Sequence, residues 1–146
     1  MIDSHCHLAD PAFDSDLAAV VSRALGSGLA GALCIVDALD AGERARAADV
    51  CATWPAIRLA TGVHPHRASA DGVPPRSAAL RLRYALASRT RHRSVGEIGL
   101  DYHYDFAPAD AQRDVFAAQL EVAADVGLPV VIHTREADSD TVDILK

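Results

Sequence analysis

The stretch VGEIGLDY, residues 95–102, places a glutamate in the middle of an apolar run. The run has the length and residue types of a buried strand, in which alternate side chains point to opposite faces. One face should therefore carry Val95, Glu97, Gly99 and Asp101, with glycines leaving space around the glutamate. A lone buried carboxylate costs several kcal/mol unless it is paired or bound to a cation. The stretch thus predicts a partner for Glu97.

Two other strand ends carry histidines. MIDSHCHL, residues 1–8, places Asp3, His5 and His7 on one face by the same alternation. TGVHPH, residues 61–66, puts a second pair of histidines just past a later strand. Because imidazole nitrogens and carboxylate oxygens are ordinary ligands of divalent cations, both segments are candidates for the same site as the glutamate.

The last predicted strand extends this pattern. LPVVIHTREA, residues 128–137, places His133 and Arg135 on one face of a buried run. Burying a polar group costs free energy, and several strand ends carry such a group. A divalent cation bound between these strand ends would compensate the cost at each of them. The sequence therefore predicts a metal site assembled from several strand ends.

Strands and helices alternate along the whole chain, which indicates a parallel sheet covered by helices. Strands are predicted at residues 1–7, 31–37, 57–63, 94–100 and 129–133, and helices at 17–25, 40–54, 77–90, 108–126 and from 138 onward. A doubly wound open sheet would gather its polar residues near one switch point, whereas a (β/α)₈ barrel spreads them over many strand ends. The spread favours the barrel, here with about its first five strands.

Composition limits the classes of protein that fit. The chain has 146 residues, 50% of them hydrophobic, so we expect one domain over residues 1–146. A net charge of −6 argues against a broad basic face for nucleic acid, and no segment has the length of a membrane span. Three cysteines without a metal-binding or disulfide pattern are typical of the cytoplasm. Nothing in the sequence indicates an obligate protein partner.

Several residues outside these stretches are expected to be structurally ordinary. We predict that His66, His92 and His103 lie at the surface or in loops. The arginine-rich run 81–93 is interpreted mainly as a solvated helix face, and residues 68–75 as a loop.

The four quoted stretches, in this order and spacing, resemble the TatD family of metal-dependent deoxyribonucleases. The resemblance covers nearly the whole chain and implies a (β/α)₈ barrel whose members cleave phosphodiester bonds in DNA. Some members of the family also act as D-aminoacyl-tRNA deacylases, so hydrolysis of an ester or amide on the same site is the alternative within enzymes.

The resemblance also implies a role for each matching residue. His5 and His7 would bind a first divalent ion, Glu97 would bridge two ions, and His133 would bind the second. Since mixed histidine and carboxylate ligands suit Mg²⁺, Mn²⁺ and Zn²⁺, the two metals are left open among these. The expected substrate is DNA or another phosphodiester.

Four further residues have implied positions around the metals. His64 resembles the histidine of the family that contacts substrate, and Arg135 is placed to hold a phosphate through its fork of donors. Asp3 and Asp101 are expected to accept hydrogen bonds that orient the metal-binding imidazoles.

Length is where the sequence departs from the family. A complete barrel needs roughly 250 residues, so we expect this chain to be an N-terminal portion, with the catalytic acid and further ligands beyond residue 146. Unpaired edges on the first and fifth strands would then favour association. An inactive fragment is the hypothesis from outside the enzyme class.

Overall fold

The computed structural model describes residues 1–69, 74–87 and 90–146. Five strands and five α-helices alternate along these residues, as predicted. The strands are β1 (Ile2–Cys6), β2 (Gly31–Asp37), β3 (Arg58–Gly62), β4 (His92–Asp101) and β5 (Val130–Arg135). The helices are α1 (Leu17–Gly26), α2 (Ala41–Thr53), α3 (Pro75–Ala85), α4 (Ala109–Val126) and α5 (Asp138–Ile144). Two short 3₁₀ helices follow β1 and β3, at Pro11–Phe13 and Pro65–Arg67.

The strands form one parallel sheet in the order β1-β2-β3-β4-β5. Each strand pairs with the next one along the chain, whereas a doubly wound sheet reverses its order at a switch point. The arrangement is therefore half of a (β/α) barrel, as the spread of polar strand ends predicted. All carboxyl ends of the strands lie at the same edge, where barrels of this kind assemble their sites.

Two apolar clusters hold the helices against this sheet. The larger one packs α3 and α4 over β4 and contains the fully buried Phe116, Leu82 and Ile98. The smaller one lies beneath α1 and α2 around Trp54 and Ile57. Within the described ranges, no helix is long and apolar enough to cross a membrane.

Several helices begin or end at residues that are suited to those positions. Asp40 begins α2 by accepting the Glu43 backbone N–H at 2.8 Å, which is the contact typical of an N-cap aspartate. Gly127 ends α4 in the left-handed conformation, with φ of 67°. Pro75, predicted as loop, instead starts α3, because proline suits the first position of a helix.

Residues 70–73 of the predicted loop and residues 88–89 of the predicted third helix lie outside the described residues. The helix predicted from residue 138 onward covers part of the core, since Thr141 of α5 is buried and Ile144 packs against the larger cluster.

Strand β4 departs from simple alternation. Its pairing with β5 shifts register between Val95 and Ile98, so Val95 joins Ile98 in the buried cluster under the helices. The prediction that Val95 shares the face of Glu97 is therefore wrong, because a register shift breaks the two-residue period.

The glycines of β4 also act differently from the expectation. Gly96 and Gly99 have φ of 155° and 143°, and a Cβ at Gly96 would lie 2.7 Å from the Val131 Cβ. A Cβ at Gly99 would overlap the carbonyl oxygen of His133. These glycines allow β5 to approach closely, rather than leaving space around the glutamate.

Candidate metal centre

His5 and His7 meet at the end of β1. Their Nε2 atoms are 3.2 Å apart, as expected for side chains two positions apart on a strand. Asp3 accepts the backbone N–H of His5 at 3.0 Å, so it positions that histidine through its main chain. That Asp3 also orients an imidazole stays a prediction. Cys6, between the two histidines, packs against the smaller cluster.

Glu97 lies between histidines from the two outermost strands of the sheet. Its Oε2 is 3.5 Å from His5 Nε2, and its Oε1 is 3.1 Å from His133 Nδ1. Only 15% of the Glu97 side chain is exposed. One half-buried carboxylate therefore directs each of its oxygens at a different imidazole.

The donor atoms form two overlapping groups. His5, His7 and Glu97 offer ligand atoms that all lie within 4.8 Å of one another, and so do His64, Glu97 and His133. Glu97 belongs to both groups. Nitrogen and carboxylate donors gathered at this spacing are the chemistry that divalent cations require, so the residues present fit a metal at each group.

Asp101 is fully buried at the end of β4 and lies next to two imidazoles. Its Oδ2 is 2.9 Å from His133 Nε2 and 2.8 Å from His66 Nε2. Burial alone would raise the pKa of Asp101, but the hydrogen bonds from His66 and His133 lower it below the usual range. The carboxylate is thus ionised and fixes both rings.

His66 was predicted to be an ordinary surface or loop residue, and so was His92. The prediction for His92 is wrong, because His92 is buried at the start of β4. His66 does lie in the connection after β3, but it is half-buried and contacts Asp101, which the prediction did not include. His103 does lie in a loop, where its Nδ1 is 2.7 Å from Glu136 Oε1. The signal for His66 was its position two residues after His64, on the short 3₁₀ helix that follows β3.

His64 begins that 3₁₀ helix, and its Nδ1 accepts the His66 backbone N–H at 3.2 Å. Burial, together with the neighbouring His133 and His66, lowers the pKa of His64 to about 4. The imidazole is therefore neutral near pH 7. Because Nδ1 accepts a backbone N–H, the ring proton lies on Nε2, which can donate a hydrogen bond to a group bound at the site.

The end of β2 also reaches this region. A cavity of about 170 Å³ is lined by residues of four strand ends, among them Asp37, His7, His64 and Glu97. Burial raises the pKa of Asp37, although Arg67 lies 3.2 Å from its Oδ2. The sequence reasoning placed no site residue on β2. The feature that could have identified Asp37 is its position as a carboxylate at the end of the apolar run of residues 31–37.

Arg135 is exposed at the end of β5, and its guanidinium carbon lies 4.8 Å from the centre of the Tyr104 ring. This distance is within the range of a cation–π contact. Glu136 follows with φ of 54°, an uncommon conformation for a residue other than glycine, and turns the chain out of the strand.

Two buried glutamines of α4 hold the strand ends from behind. Gln119 accepts the Val63 backbone N–H at 2.7 Å and donates to the Val63 carbonyl at 3.0 Å. Gln112 accepts the Asp101 backbone N–H at 2.7 Å and donates to the Asp101 carbonyl at 2.9 Å. The sequence reasoning missed both residues. Both glutamines occur at the helical spacing of the apolar face that includes Phe116, and a polar residue at such a position could have identified them.

A parallel half-barrel whose strand ends bring histidines around a shared carboxylate has the architecture of a metal-dependent hydrolase. The chain belongs to the family of TatD-related DNases, whose family model matches residues 2–146. The resemblance found in the sequence is thereby confirmed.

Individual relatives agree with this assignment. The chain is 34% identical, over its whole length, to the uncharacterized metal-dependent hydrolase YabD of Bacillus subtilis and covers 55% of that protein. It is 36% identical to the 3'-5' ssDNA/RNA exonuclease TatD of Musicola paradisiaca, of which it covers 53%. The crystal structure of YJJV, a TatD homolog from Escherichia coli, superposes with a TM-score of 0.85 at 28% identity; the match covers 99% of this chain and 54% of that one. The chain thus spans about half the length of these relatives.

Proposed function

We propose that the protein hydrolyses phosphodiester bonds of nucleic acid with two divalent metal ions. The observation that carries the proposal is the position of Glu97, whose two carboxylate oxygens face His5 and His133 separately. A carboxylate in this position is suited to bridge two cations. Membership of the TatD-related DNase family supports the same reaction class.

The residues divide into ligands and residues that position them. His5, His7 and Glu97 would hold one ion, and Glu97 with His133 would hold the other. Bound divalent ions supply Lewis-acid polarisation of the phosphoryl oxygen and activation of water. Asp101 holds His133 at one ring nitrogen and so fixes the orientation of that ligand. The metals are Mg²⁺, Mn²⁺ or Zn²⁺.

Two further side chains would contact the substrate. His64 is neutral near pH 7 and has a ring nitrogen within 4.8 Å of ligand atoms of Glu97 and His133, so it can donate a hydrogen bond to a phosphate oxygen. Arg135 presents an exposed guanidinium at the same edge of the sheet, and its planar donors match a phosphate.

We further propose single-stranded DNA or RNA, degraded from the 3′ end, as the substrate. The Musicola paradisiaca relative is named for this activity. A net charge of −6 is compatible with it when cations and a few local donors, rather than a basic face, hold the phosphates.

The proposal is tested on the complete gene product with the Glu97→Gln variant, which removes the charge and keeps the size of the side chain. Wild-type protein should bind two equivalents of Mn²⁺ in a calorimetric titration and shorten a 5′-labelled single strand from its 3′ end. Glu97→Gln should bind at least one equivalent of Mn²⁺ less than wild type and should lose nearly all hydrolytic activity. Glu121→Gln, at an exposed position of α4, is the matched control and should behave as wild type. Unchanged Mn²⁺ stoichiometry in Glu97→Gln would overturn the ligand assignment.

A further inference from the structure

Tyr104 and Phe106 form an exposed aromatic pair in the loop between β4 and α4. Their ring centres are 5.4 Å apart with an angle of 37° between the planes. Phe106 is 62% exposed and Tyr104 is 41% exposed, whereas the core phenylalanine Phe116 is fully buried. The pair therefore gives little to the apolar core and leaves ring surface free for another molecule.

This aromatic pair borders the candidate metal centre. The Phe106 ring centre lies 4.7 Å from that of His66, whose Nε2 is 2.8 Å from Asp101. Asp101 in turn contacts His133 at 2.9 Å. Only one imidazole and one carboxylate thus separate the exposed rings from a proposed metal ligand.

A positive charge lies beside the same rings. The Arg135 guanidinium sits over Tyr104, at 4.8 Å from the ring centre, and remains exposed at the end of β5. Aromatic side chains next to an arginine are the combination that binds single-stranded nucleic acid, since bases stack on the rings while the cation attracts the backbone.

We propose that Tyr104 and Phe106 are a stacking platform for the nucleobase next to the scissile phosphate. This inference rests on the proposed function and adds a specificity determinant to it. Stacking tolerates every base, because each base has a π-face. It favours an unpaired strand, because a base inside a duplex is already covered on both faces by its neighbours. The platform would therefore select single strands without selecting sequence.

Binding is measured with the complete gene product and a single strand that carries 2-aminopurine near its 3′ end and hydrolysis-resistant phosphorothioate linkages. Stacking quenches the fluorescence of this base, so the signal does not depend on catalysis. Wild-type protein should quench it. Phe106→Ala should raise Kd about tenfold, the effect typical of losing one stacking ring. Phe106→Tyr should restore the wild-type Kd. Tyr84→Ala, which removes an exposed tyrosine of α3, is the control and should leave Kd unchanged.

A hydrolysis assay with an abasic strand completes the test. Phe106→Ala should raise KM for the natural strand about tenfold and leave KM for a strand abasic at its 3′ end unchanged. Equal effects on both strands, or normal quenching by Phe106→Ala, would overturn the platform. Absence of any hydrolysis by wild-type protein, with quenching intact, would instead overturn the proposed reaction and leave the stacking site standing.

Discussion

Replacing Gln119 by leucine should destabilise the protein although the two side chains have similar volume. Gln119 is fully buried in α4, where its amide makes two hydrogen bonds to the backbone of Val63. Val63 is itself 1% exposed, so water cannot replace the lost partners at little cost. Leucine would leave one N–H and one C=O unsatisfied in the interior.

The size of the effect follows from those two groups. Each buried polar group left without a partner costs about 1–3 kcal/mol. The extra apolar surface of leucine offsets about 1 kcal/mol of this loss. The free energy of unfolding of Gln119→Leu should therefore fall by roughly 3 kcal/mol.

The measurement is urea-induced unfolding of the complete gene product, followed by circular dichroism. Glu121→Leu introduces the same side chain at an exposed position of the same helix and should change stability by about 0.5 kcal/mol at most. A loss below about 1 kcal/mol for Gln119→Leu at an unchanged m-value would refute the reasoning, because it would mean that the Val63 backbone finds other partners.

Three other predictions concern the backbone and the metals. Gly99→Ala should abolish soluble, folded protein, because a Cβ at this position would overlap the His133 carbonyl oxygen and because the φ of residue 99 favours glycine. The yield of soluble protein and its circular dichroism spectrum measure this effect. Asp40→Ala should lower the free energy of unfolding by about 1 kcal/mol in urea through loss of the Glu43 N–H contact, and an unchanged midpoint would contradict the capping role. Removal of divalent ions by EDTA should lower the Tm of wild-type protein more than that of Glu97→Gln, which binds fewer ions; equal shifts would show that the ions act elsewhere.

The strands and the centre of the site could be predicted because their signals are local. The two-residue period of a strand correctly places His5 beside His7. A carboxylate inside an apolar run predicts a partner, and Glu97 has His5 and His133. The order of strands in a parallel barrel then brings the ends of β1 and β5 to one edge of the sheet.

The remaining features depend on contacts that no local pattern encodes. Val95 turns to the core because β4 shifts register against β5, and that shift follows from how closely the two backbones approach. His66 and Asp37 reach the site because a short 3₁₀ helix and the end of β2 fold toward it. The aromatic pair of Tyr104 and Phe106 was not predicted, because two aromatic residues in a loop do not indicate from the sequence alone which site they border.

The two glutamines of α4 bear on how this protein can diverge. Gln112 binds the peptide groups of Asp101 at the end of β4, and Gln119 binds those of Val63 after β3. These hydrogen bonds involve only the backbone, so they do not depend on the side chains of Asp101 and Val63. The helix therefore fixes the spacing of the two strand ends through main-chain contacts alone. Substitutions at exposed positions near the site, such as Phe106 and Arg135, would leave these contacts in place, so the surface that meets substrate can change while its support does not.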